Sequence, residues 1–191
     1  MGVYMVKNKM SIQTLVICGV FAAILAVICP LSIPIGPVPI TLGTFSIALT
    51  GYVLGGRYGC ITTGIYILIG AVGLPVFSGY KGGLNVIIGV TGGFIFGYLI
   101  LSYLCGFDLI TKKFKLLPQY IIAIFQGLVG LVLLYLLGMV QFVFITEATM
   151  SYAFAVCVAP FIVKDVISII IAFILGNMIK KALVKSRLLL L

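Results

Sequence analysis

The chain alternates long apolar runs with short glycine-rich or polar interruptions, and the runs are too long and too uniform for strands or for one-sided surface helices. The first run covers 11–29. Pro30, Pro34, Pro37 and Pro39 then exclude a helix and predict a stiff, extended, apolar loop that can act as a lid. Runs over 41–54 and 58–72 follow, parted only by Gly55, Gly56 and Arg57, so the turn between them is very short. The fourth run covers 84–105, the fifth 119–144 and the sixth 152–179, with the longest polar interval at Asp108, Lys112, Lys113 and Lys115. Pro118 opens the fifth and Glu147 separates it from the sixth. A spanning helix needs roughly 20 apolar residues, so a chain of this length holds about six or seven and no soluble domain. The pattern predicts an all-α integral membrane protein: one transmembrane domain over 1–191 with six transmembrane helices.

Composition agrees, with 63% hydrophobic and 8% charged residues and a mean hydropathy of +1.39. A net charge of +9 would suggest nucleic acid in a soluble protein. Here the basic residues are scattered between apolar runs, so they set topology and no nucleic-acid partner is expected. On the six-helix reading, Lys7, Lys9, Arg57, Lys112, Lys113, Lys115, Lys180, Lys181, Lys185 and Arg187 share one side, whereas the opposite loops hold Lys81 alone. Both termini are therefore expected on the cytoplasmic side, with the chain a multi-pass protein of the cell membrane. Lys7 and Lys9 precede the first run as in a signal peptide, yet no small-residue cleavage site follows before Pro30, so this run is expected to remain as the first span. The five cysteines have no CxxC spacing and read as packed free thiols.

Polar residues are so sparse that each one counts. Residues 73–97 combine several glycines with Lys81 and Asn85; Gly79, Gly82 and Gly83 bracket the lysine in a spacing that suits a tight loop with positive φ or close backbone approach. Gly89, Gly93 and Gly97 recur every four residues, which predicts a smooth stripe for close helix packing. A cation and an amide where a glycine loop enters a membrane make a candidate site for a small polar solute; helix packing alone is the plainer alternative. Lys164 and Asp165 lie inside the sixth run, where an ionisable group costs several kcal/mol unless paired or hydrated. They point about 100° apart on a helix, and Asp165 is the better inward candidate, with a purely structural ion pair as the alternative. Gln126 and Gln141 read as interhelical glue, with ligand contact as the alternative. In the first span, Ala22 and Ala26 are spaced for close helix approach, with Gly19 and Ala23 offset beside them, and the strip could meet an internal or an external helix.

Enzymatic classes fare poorly. There is no histidine, and Asp108, Glu147 and Asp165 lie on three segments, so no catalytic residue, metal site or cofactor is expected. No G-x-x-x-x-G-K-S/T run is present, so any ATP must be used by another subunit.

Four runs together resemble one family: GPVPIT at 36–41, LPVFSGYKGG at 74–83, GVTGG at 89–93 and APFIVKDVIS at 159–168. They are similar to the signature runs of BioY, the biotin-binding S components of energy-coupling factor transporters. The resemblance covers nearly the whole chain. It implies a six-helix S-component fold, a biotin site near the extracellular face, and assembly with a T component and two cytoplasmic ATPase subunits in the lipid bilayer. It places Asn85 and Asp165 at the ureido ring under capping loops; Lys81 is a candidate for the tail carboxylate, and Thr41, Lys164 and Ser168 complete the expected ligand set. Ala22 and Ala26 become the candidate docking strip for the T component. Three positions depart from the family pattern: Ser168 where a lysine is usual, Gly43 where glutamine is common, and Val90 in place of a proline. A stand-alone facilitator, an accessory subunit without ligand, and an S component for a related molecule such as lipoate are the competing readings.

Overall fold

Eight helices and one small hairpin make up the regular structure of residues 12–34, 37–107 and 119–186, which the computed structural model describes. Lys7, Lys9, Gly36, Asp108, Lys112, Lys113, Lys115, Pro118 and Arg187, used in the sequence reading, lie outside the described residues. Helix α1 (Ile12–Ile28) stops just before Pro30, which lacks the N–H that a further turn requires. Strands β1 (Ser32–Ile33) and β2 (Ile40–Thr41) pair antiparallel, Ser32 opposite Thr41, so the proline-rich stretch folds back on itself. Helices α2 (Gly43–Leu54) and α3 (Gly56–Ala71) are joined by Gly55 alone at φ 83°, a left-handed value that a side chain would strain.

The fourth and sixth runs are not single helices. The fourth divides into α4 (Leu84–Ile87) and α5 (Gly92–Cys105), the sixth into α7 (Met150–Cys157) and α8 (Ile162–Lys185). Pro160 explains the second break, since a proline inside a helix removes a hydrogen bond and clashes with the preceding turn. Between the two pairs, α6 (Gln119–Thr146) runs unbroken for 28 residues.

Among the described residues α6 and α8 are long and apolar enough to cross a membrane, while α1, α2 and α5 are shorter apolar helices. Their outer faces are apolar too: Val132, Leu136, Val140 and Phe144 project from α6, and Val163, Ile167, Ile171 and Met178 from α8. Such continuous apolar surface marks a membrane protein.

Glycine permits the closest helix contact. A Cβ at Gly93 would strike the carbonyl of Leu137, and one at Gly97 would lie 2.8 Å from Leu134 Cα, so α5 and α6 pack nearly backbone to backbone. Gly93 and Gly97 thus face a helix as their spacing predicts; Gly89, in the break, does not belong to that helical stripe.

Helices α2 and α8 run in the same direction. Lys164 at the start of α8 bonds to Thr41 just before α2, while Ile179 and Leu183 near its end pack on Val53 and Leu54. Arg57, Lys180, Lys181 and Lys185 therefore lie towards one end of the bundle, and Lys81, beyond the far end of α3, lies at the other.

Helix α1 corrects the expected strip. Ala22 is only 2% exposed, and Ala26 is half-buried against the main core, because this face of α1 packs on α2 and α3. The outward small residues are Gly19, with nothing within 4 Å of a Cβ there, and Ala23.

Candidate ligand-binding site

Both helix breaks and both long loops converge at the Lys81 end around a cavity of about 380 Å³. That volume is within the range of small-molecule sites, roughly 300–1,000 Å³. The hairpin loop supplies Pro37, Val38, Pro39 and Thr41, and the loop after α3 supplies Phe77, Ser78 and Lys81. The α4–α5 segment supplies Asn85, Val86, Gly89, Val90 and Thr91, and the far wall carries Tyr135, Phe161, Lys164 and Asp165.

The loop after α3 follows the glycine spacing. Phe77 and Lys81 pair across a tight turn in which Gly79 and Tyr80 take positive φ, and Gly83 has φ 97°. Gly82 serves close approach instead, because a Cβ there would run into the carbonyl of Leu74. The turn is tied down: Gly79 N–H donates to the Pro30 carbonyl at 3.0 Å, and Tyr66 Oη donates to the Val76 carbonyl at 3.0 Å. The Phe77 ring meets Tyr66 edge-on at 5.8 Å.

Asp165 carries the electrostatic weight. It is 3% exposed, and its carboxylate accepts a hydrogen bond from Tyr135 Oη at 2.7 Å through Oδ2. Oδ1 lies 2.5 Å from Lys164 Nζ as an ion pair, but accepts no well-aligned hydrogen bond among the described residues. The same lysine also donates to the Thr41 carbonyl at 2.9 Å, joining α8 to the hairpin loop. The result is a buried carboxylate held on one side, charge-compensated, and left with acceptor capacity beside a cavity. Such a group suits a neutral ligand that offers N–H donors.

Of the residues singled out from the sequence, Thr41, Lys81, Asn85, Lys164 and Asp165 surround this one cavity. Lys81 and Asn85 are exposed, whereas Asp165 is buried. Ser168 is not a lining residue: it shares the helix face of Asp165 but sits about 4.5 Å further along α8, half-buried beside the fully buried Ile169. Gly43 has a local reason, since the Tyr98 hydroxyl fills the space where a side chain would stand, close to Thr41 Oγ1. Sequence reasoning missed Tyr135, Tyr98 and Ser78, whose buried Oγ has no partner among the described residues. Ten tyrosines without pattern offered no signal, although Ser78 lies inside a glycine-flanked motif that could have flagged it.

A bundle of helices around a largely apolar cavity of small-molecule size that carries a few polar groups, with apolar outer faces, defines a membrane-embedded solute-binding protein. The BioY family model matches residues 5–185. Two relatives agree over nearly their full lengths. The biotin transporter BioY of Thermotoga maritima is 36% identical over 169 residues, covering 88% of this chain and 96% of that protein. Biotin transporter BioY2 of Lactococcus lactis subsp. cremoris is 36% identical over 179 residues, covering 94% and 95%. The crystal structure of the S-component for biotin from an ECF-type ABC transporter superposes with a TM-score of 0.81 at 27% identity, over 92% of this chain and 94% of that one. The chain belongs to the BioY family.

Proposed function

We propose that this chain is the biotin-binding S subunit of an ATP-driven vitamin importer, with its site near the extracellular face. The observation that carries this reading is the buried Asp165 carboxylate in the cavity wall, held by Tyr135 at Oδ2 and paired with Lys164 at Oδ1. A ureido ring offers two N–H donors and one carbonyl, so Asp165 accepts from the ring, while Asn85 can donate and accept. Lys81, exposed beside the cavity, takes the tail carboxylate, and Thr41 and Lys164 hold the hairpin loop over the ring. The basic residues gathered at the opposite end support a cytoplasmic orientation for that end and an outward-facing site. Energy comes from a T component and two ATPase subunits, reached through the outward face of α1, in a multi-pass plasma-membrane protein. Titration calorimetry of the detergent-purified protein should show saturable, one-to-one biotin binding. A folded protein that gave no heat with biotin would end the substrate assignment.

A further inference from the structure

Gln141 stands where the cavity wall lacks part of its own backbone hydrogen bonding. In a continuous helix the Ile87 carbonyl would accept from Thr91 N–H four residues on, but α4 ends at Ile87 and α5 starts only at Gly92. Freed backbone groups at membrane depth must be satisfied from within the protein. The side-chain amide of Gln141 on α6 does so, with Nε2 donating to the Ile87 carbonyl at 2.9 Å and to the Gly89 carbonyl at 2.8 Å. One nitrogen thus bridges the break between α4 and α5. Its space is reserved: a Cβ at Gly92 would collide with both the Ile87 carbonyl and the Gln141 amide nitrogen.

The same segment carries Asn85, Val86, Gly89, Val90 and Thr91 to the cavity, while Gln141 itself does not line it. We infer that Gln141 is a positioning residue: it holds the interrupted α4–α5 segment in its ligand-ready shape and so sets how long a bound molecule is retained. This rests on the reading of the cavity as the ligand site. The chemistry is demanding, because two carbonyls must be served by one group that carries two N–H bonds. Methionine fills similar space and donates nothing. Glutamic acid donates one bond when protonated and none when ionised, and its ionised form would face two carbonyl oxygens. Helices α4, α5, α6 and α7 carry no Asp, Glu, His, Lys or Arg. Helix α8, which also packs on α6, carries Lys164 and Asp165 at the cavity wall, and Glu147 follows the end of α6. The ratio to wild type cancels what these groups contribute in both proteins.

The test measures dissociation of radiolabelled biotin from the purified full chain between pH 5 and 8, for wild type, Gln141→Met and Gln141→Glu, each with its thermal melt. Gln141→Met should speed release by about tenfold or more, the scale expected when two buried acceptors lose their donor. The release rate of Gln141→Glu, taken as a ratio to wild type, should climb with pH. This ratio decides the matter even if Gln141→Met fails to fold, since a residue that only glued helices together would give a flat one. Wild-type release rates in both variants, or a flat ratio for Gln141→Glu, would overturn the role of Gln141 and leave the site reading intact. Failure of wild type itself to bind biotin would remove the site reading first, and this inference with it.

Discussion

At the scale of single residues, the arrangement around Asp165 separates holding the carboxylate from using it. Tyr135 satisfies Oδ2 and Lys164 pairs with Oδ1, and on the proposed reading the acceptor sites that remain on the carboxylate serve the ligand. Asp165→Ala removes the acceptor and leaves ligand N–H groups unpaired, a loss of about 1–3 kcal/mol or roughly tenfold to a hundredfold in biotin affinity. Tyr135→Phe keeps the ring in place and deletes one hydrogen bond, so it should cost about 0.5–1.5 kcal/mol, or roughly twofold to tenfold. If the tyrosine acts through the carboxylate, its effect should largely vanish in the Asp165→Ala background, which calorimetry on the four proteins of the double-mutant cycle would show. Additive losses would mean that Tyr135 meets the ligand independently. Asp165, Lys81 and Asn85 were readable from sequence because each is a rare polar group in a nearly apolar chain. Tyr135 was not, since a tyrosine in an apolar helix has the same appearance whether it packs, anchors at an interface or orients an acid 30 residues away. Ser168 lies outside the cavity lining, since sequence spacing puts it on the face of Asp165 but does not say how deep along that face the cavity reaches.

At the scale of elements, glycine decides how near α5 and α6 come, and this gives a graded test. Gly93→Val drives a branched side chain into the Leu137 carbonyl, which can move only with its helix, so the cost should reach about 1–3 kcal/mol from overpacking. Gly64→Ala meets only Leu99 Cδ2 at 3.9 Å, an ordinary contact, and should be neutral or mildly stabilising. Thermal melts in detergent would compare the two, and equal midpoints would refute the close-packing account. The glycine period disclosed the α5 face, yet the break at 88–91 was hidden. The run from Leu84 to Cys105 has no proline to mark a stop, and the group that bridges the break lies on α6, more than 50 residues away. The break before α8 had a local cause in Pro160, and that proline was present in the sequence to be read.

At the scale of the whole molecule, the bundle has a cavity end and a basic end, and α1 connects them. Cys18 and Phe21 pack with Val53 and Leu54 towards the basic end, while Cys29 lines the cavity. Ala22 is committed to the interior, so the proposed docking surface for a T component is the outward face, where Gly19 and Ala23 leave a shallow strip among Val20, Ile24 and Val27. Small residues allow two helix backbones to approach closely in a bilayer, where burial of apolar surface gives helices no driving force to associate. Ala23→Trp should therefore abolish copurification with the T component and biotin uptake in cells, and leave biotin affinity of the solitary chain within about twofold, since that side chain points away from the cavity. Ala22→Trp should instead disturb the packing of α1 on α2 and α3, lower the melting temperature of the isolated protein and weaken binding as well. The contrast between adjacent positions, about 100° apart on one helix, is the decisive reading. If Ala23→Trp copurified normally with its partners and supported uptake, docking would belong to some other face and α1 would be a structural helix only.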